Sequence, residues 1–172
     1  MNTQTTANAV SASLEMVIKQ IINAWTTQNK TITDFFNKYD DDVYLNEVSP
    51  GRNRAAYLLG HLIASNDGMI PLFGLGEKLF PELEAIFLTN ADKSITEIPS
   101  VTLLKQYWET LNKTLTDHFN SMHSHEWLER HSKVSEEDFA LDPLRNKLNV
   151  LIGRTNHESY HRGQLIFLNH KG

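Results

Sequence analysis

Asn156-His157-Glu158-Ser159-Tyr160-His161-Arg162-Gly163-Gln164 is the stretch whose reading decides the rest of this chain. His157 and His161 are four residues apart, which on an α-helix places both imidazoles on one face, one turn from each other. Two neutral imidazoles held in that way can share one divalent metal ion. Spacing alone is a weak signal. With 8 histidines in 172 residues, a pair that merely hydrogen-bonds locally explains the pattern equally well. The run also reads His-Glu-x-x-His, the zincin pattern, in which the glutamate is the general base of a metalloprotease. The extended form of that pattern requires Gly and His where this chain carries Gln164 and Phe167. Only Arg162 to Gly172 follow the pair, so a third ligand has to come from upstream, and a zincin protease is not supported.

Around this stretch, Asp142-Pro143 reads as an N-cap followed by a first-turn proline. It predicts a helix over 142–169 with Leu144, Leu148, Leu151, Ile152, Leu165 and Leu168 as its apolar face. His157 and His161 interrupt that face. Polar groups at core-facing positions cost stability unless they are paired, so the interruption points to a site more strongly than the spacing does.

Upstream, Leu14, Val17, Ile18, Ile21, Ile22 and Trp25 recur at helical steps and predict a first helix over 10–28, after a frayed polar tail at 1–9. Asn29 to Asp42 reads as a short helical piece or a packed loop, and Asp40-Asp41-Asp42 as solvated surface. The turn signal Ser49-Pro50-Gly51 precedes a second helix over 52–69, which Pro71 ends. His61 lies among its apolar positions, Ala55, Leu58, Leu59, Leu62 and Ile63. It reads either as a satisfied core histidine or as the missing ligand. Gly60 beside it is a poor helix former, by about 1 kcal/mol, and points to close packing of a neighbouring helix. A long connection over 71–99 follows, with a short helix at 81–87. Ser100 caps a third helix over 101–121, striped by Val101, Leu104, Trp108, Leu111, Leu115 and Phe119. Met122 to Ser135, with His123, His125 and His131, reads as an exposed histidine-rich connector. No strand alternation or repeat is evident.

Length and a 40% hydrophobic content suit a single domain, 1–172. No apolar run has membrane-spanning length, and residues 1–10 lack the basic and apolar regions of a signal peptide, so a cytoplasmic location away from membranes is expected. Zero cysteines remove disulfides, thiolate-bound zinc and a protein thiol nucleophile. A net charge of −5 argues against general nucleic-acid binding.

The run 157–165, His-Glu-Ser-Tyr-His-Arg-Gly-Gln-Leu, resembles the C-terminal helix signature of the DinB-like (DinB/YfiT) metal-binding four-helix bundles. Leu58-Leu59-Gly60-His61-Leu62-Ile63 is similar to that family's second-helix histidine followed by an apolar pair. The resemblance implies an all-α four-helix bundle with a long crossover between helices two and three, frequently a homodimer. It implies a divalent metal on His61, His157 and His161. Activities known in such bundles include thiol-dependent transferases and an isomerase that use a low-molecular-weight thiol such as bacillithiol or mycothiol.

Three neutral histidines leave coordination positions open, the catalytic rather than the structural type of site. Zinc is the default occupant; nickel leads the alternatives, with iron and manganese behind it. Glu158 lies about 80° around the helix from the mean direction of the two histidines. It is a candidate catalytic base or ligand support, although an ion pair with Arg162, four residues on, is slightly favoured. Gln164, Tyr57 and Ser65 are candidate pocket residues, one turn from a histidine each. Two functions follow: a metal-dependent transferase or hydrolase acting on a small molecule, or a non-catalytic dimeric metal-binding or stress-response bundle.

Overall fold

A computed structural model describes residues 3–94 and 97–168 of the chain, with side chains from residue 8 onward. It contains α1 (Thr3–Phe36), α2 (Ala55–Asp67), α3 (Met69–Phe73), α4 (Val101–Ser121), α5 (Glu136–Leu141) and α6 (Lys147–Leu165). Short 3-10 turns lie at Asp41–Leu45 and Glu126–Leu128, and a π turn at Ala85–Thr89. Among the described residues there is no strand, only two isolated bridges. No helix among them is long and apolar enough to cross a membrane.

The four long helices, α1, α2, α4 and α6, close a ring. α6 lies mainly along α1, and α2 mainly along α4; α1 with α4 and α2 with α6 complete it. α2 is the central element. Every residue from Ala55 to Asp67 except His61 is buried, the composition of a helix enclosed on all sides rather than an amphipathic one. The fold is therefore all-helical, as expected.

α1 is longer than its apolar stripe predicts. It begins at Thr3 and runs through the segment after residue 28 to Phe36. The reason for the extension lies in Asn29, Ile32 and Phe36, which are buried and continue the spacing of Ile18 and Trp25. Asn29 is polar, so a hydrophobic count breaks there although the buried face does not. The acidic triplet is only partly free surface: Asp41 accepts from Thr102 Oγ1 at 2.6 Å and from Lys105 Nζ at 2.5 Å, tying the 3-10 turn after α1 to α4.

Pro71 does not end α2. The helix stops at Asp67, and Pro71 sits in α3, which resumes after Gly68. α3 then ends on Gly74, whose left-handed backbone (φ 74°) fits a residue without a Cβ. The connection to α4 is clamped to both ends of α2. Arg54 makes a forked pair with Asp92, at 2.9 and 2.6 Å, and its backbone N–H donates to the same carboxylate. Asp67 accepts from the backbone amides of Leu79 and Phe80 at 2.8 and 2.9 Å.

α4 matches its predicted span, and the Ser100 hydroxyl accepts from Leu103 N–H. The histidine-rich connector is not simply exposed. His123 and His125 are at the surface, but Trp127 is buried against Phe119 and Phe73, with ring centroids 5.2 and 6.0 Å apart. α6 also starts later than Asp142-Pro143 predicts. The Asp142 carboxylate accepts from Leu144 N–H inside a turn. The true cap is Asn146, whose side chain accepts from Asn149 N–H at 2.9 Å. Lys147 N–H donates to the Glu129 carbonyl across the connector, fixing that start.

Candidate metal centre

α2 and α6 bring His61, His157 and His161 together, with one ligand atom from each lying within 4.8 Å of the others. Nε2 of His157 is 3.1 Å from Nε2 of His61 and 2.9 Å from Nε2 of His161. His161 is buried, while His61 and His157 are partly exposed, so the cluster lies at the edge of the core.

The outer nitrogens explain why the Nε2 atoms converge. His61 Nδ1 lies 2.9 Å from the Phe87 carbonyl oxygen. A carbonyl only accepts, so Nδ1 carries a proton, and in the neutral ring that tautomer leaves the Nε2 lone pair facing inward. His161 Nδ1 lies 2.8 Å from Gln164 Oε1, which fixes the same tautomer when the amide oxygen faces the ring. Burial is the main cause that holds the His157 pKa down, to about 4, helped by the charges of His161, His61 and Arg154. Burial also lowers His161, against the pull of Gln164. Three imidazoles with their Nε2 atoms aimed at one point, two of them tethered at Nδ1, are the donor set a divalent cation requires. The residues present therefore fit such an ion. His157 Nδ1 is buried without a partner, so the third imidazole lacks the tether of the other two.

The Phe87 carbonyl is delivered by packing. A Cβ on Gly60 would lie 2.3 Å from the Phe87 ring, so only glycine lets the π turn lie flat on α2. The close neighbour is thus an aromatic of the crossover, not another long helix. Tyr57 supports the same turn. It is buried, and its hydroxyl donates to the Asn90 carbonyl at 2.6 Å. Ser65 is buried one turn beyond His61. Gln164 also lines a surface cleft of about 540 Å³ with Val48, Asn53, Tyr160 and Phe167 among its walls.

Glu158 is not paired with Arg162. Its carboxyl is fully buried and accepts from Asn66 Nδ2 at 2.7 Å. With its amide turned to suit its neighbours, Asn29 donates to the same carboxyl oxygen at 2.8 Å. The helix-surface pairing rule fails here because it presumes exposure. Burial raises the carboxyl's pKa to about 8, against Asn66, the Trp25 indole and Arg154. Asn29 and Asn66 escaped the sequence reading; their signal is that each is a polar residue interrupting an otherwise apolar helical face.

No curated protein matches the chain. The family model described as DinB family matches residues 1–171. With an all-helical fold and a three-histidine group that can hold a metal ion, the chain belongs to the DinB family.

Proposed function

We propose that the protein is a metal-dependent enzyme acting on a small molecule, with His61, His157 and His161 as ligands and a low-molecular-weight thiol as cosubstrate in a transfer reaction. The observation that carries this reading is the convergence of three Nε2 atoms at the edge of the core, where the His61 and His157 rings are partly exposed. A sealed structural site would instead enclose a fourth protein ligand, and among the described residues the group holds three. A divalent metal bound there, zinc or nickel, supplies Lewis acidity and lowers the pKa of a coordinated water or thiol.

The chain's own residues supply position. The Phe87 carbonyl and Gln164 hold two imidazoles in the tautomer that binds. The carboxyl of Glu158 is engaged by Asn66 and Asn29, so it supports α6 from behind rather than serving as the base. The protein works as a homodimer within the cytoplasm on this reading, supported by the family resemblance and by the lack of a membrane-crossing helix among the described residues.

The test is a thiol-transfer screen with zinc- or nickel-loaded protein, thiols of differing charge and a soft electrophile. Turnover that vanishes in His61→Ala while the helical content stays unchanged supports the enzyme. Metal-loaded protein that neither turns over nor binds any thiol would favour the non-catalytic bundle.

A further inference from the structure

Arg154 lies three residues before His157 and seven before His161 on α6, and hence on the same helical face as both. It is partly buried. Among the described residues its guanidinium closes no hydrogen bond and no ion pair. Of the other partly buried arginines, Arg54 has the Asp92 carboxylate and Arg130 has the Val134 carbonyl and Glu136. Arg162 closes no hydrogen bond or ion pair either among the described residues, but it lies about 120° around α6 from the mean direction of the two histidines. The carboxyl nearest to Arg154 in sequence on that face, Glu158, is engaged by Asn66 and Asn29 instead. None of the Arg154 nitrogens is sealed from solvent, so its fixed fork of five donors is open to an acceptor that comes from outside the chain.

We infer that Arg154 holds the anionic end of the substrate, a carboxylate or phosphate carried by the same molecule that reaches the three histidines. The planar fork suits two oxygens of such a group. Its place, roughly 5 Å along the helix from His157, suits a compact ligand with its charge a few bonds from its metal-seeking atom. Burial lowers the guanidinium's own pKa, with Glu158 opposing; its spacing on α6 is what puts it on the histidines' side of the helix. An oxyanion there would complete a charge pattern that the chain leaves open. This inference rests on the enzyme reading for its metal-seeking group, but not for the anion.

Two calorimetric titrations separate them. In the first, metal-free wild type, Arg154→Gln and Arg154→Lys are titrated with malonate and, separately, with inorganic phosphate. Binding by wild type that falls about tenfold or more in Arg154→Gln, with Arg154→Lys intermediate, supports the assignment, and the tighter probe identifies carboxylate or phosphate. In the second, zinc-loaded protein is titrated with mercaptoacetate and with neutral 2-mercaptoethanol. Wild type should prefer mercaptoacetate about tenfold, and Arg154→Gln should lose that preference while keeping its affinity for 2-mercaptoethanol and its zinc. Equal affinities in wild type and Arg154→Gln, or no oxyanion binding by wild type, would overturn the assignment. Arg154-dependent malonate binding in a protein that takes up no zinc would sink the metal reading and leave this one standing. If Arg154→Gln does not fold, Arg154→Lys carries the comparison, with a three- to tenfold loss expected and no loss contradicting it.

Discussion

Glu158 follows directly after a histidine of the triad, yet its carboxyl meets Asn66 of α2 and Asn29 of α1 in the core. Burial holds its pKa at about 8, well above the 4.5 of an ordinary glutamate. The folded protein therefore binds this proton more tightly than the unfolded chain does. The associated stability is complete below pH 4.5 and is lost as pH rises through about 8. In metal-free protein, Glu158→Gln should remove that dependence. The stability of wild type minus that of the variant should fall between pH 5 and 8, by roughly 3–5 kcal/mol at most. Denaturant unfolding across that range checks it, and a flat difference would show the carboxyl ionised throughout. Taking the difference cancels the opposite contribution of His157, whose lowered pKa weakens the fold as pH falls from 6.5 towards 4. None of this was legible in the sequence. The four-residue Glu158-to-Arg162 spacing suggests a surface pair, and only the burial of α6 between α1 and α2 decides otherwise.

At the scale of elements, the π turn at Ala85–Thr89 governs His61. It reaches the histidine through a backbone carbonyl, and it lies close because Gly60 leaves room for Phe87. Gly60→Ala should cost about 1–3 kcal/mol through overpacking. It should also weaken metal binding about tenfold, the usual effect of losing an outer partner of a ligand. Thermal unfolding and competition with a chelating dye would read the two effects. A variant that loses stability but keeps its metal affinity would detach the turn from the site. The sequence showed that Gly60 was unusual but not what approached it, because a carbonyl acceptor belongs to every residue and leaves no trace in residue type. The start of α6 teaches the converse. Asp142-Pro143 carries the right local chemistry for a helix cap and uses it in a turn, while Asn146 caps the helix. Asn146→Ala should cost about 1 kcal/mol, and Asp142→Ala only a few tenths. Equal losses by denaturant unfolding would restore the earlier start.

Over the whole molecule, three histidines from two helices far apart in sequence meet because α2 is enclosed by the others and α6 lies along α1 and α2. The final helix and His61 were legible, since imidazoles interrupting apolar faces have no structural reason to be there unless they are paired. The tethers that aim them were not, being supplied by a crossover whose path depends on Arg54, Asp92 and Asp67. A metal shared by α2 and α6 would also bind the folded state alone, adding about 2.7 kcal/mol of stability at a hundredfold excess over its dissociation constant. The most direct test is elemental analysis of tag-free protein together with His61→Ala and His157→Ala. About one equivalent of zinc or nickel in wild type, lost from both variants, is the predicted result. Wild-type protein without metal after reconstitution, or variants that keep it in full, would contradict the account.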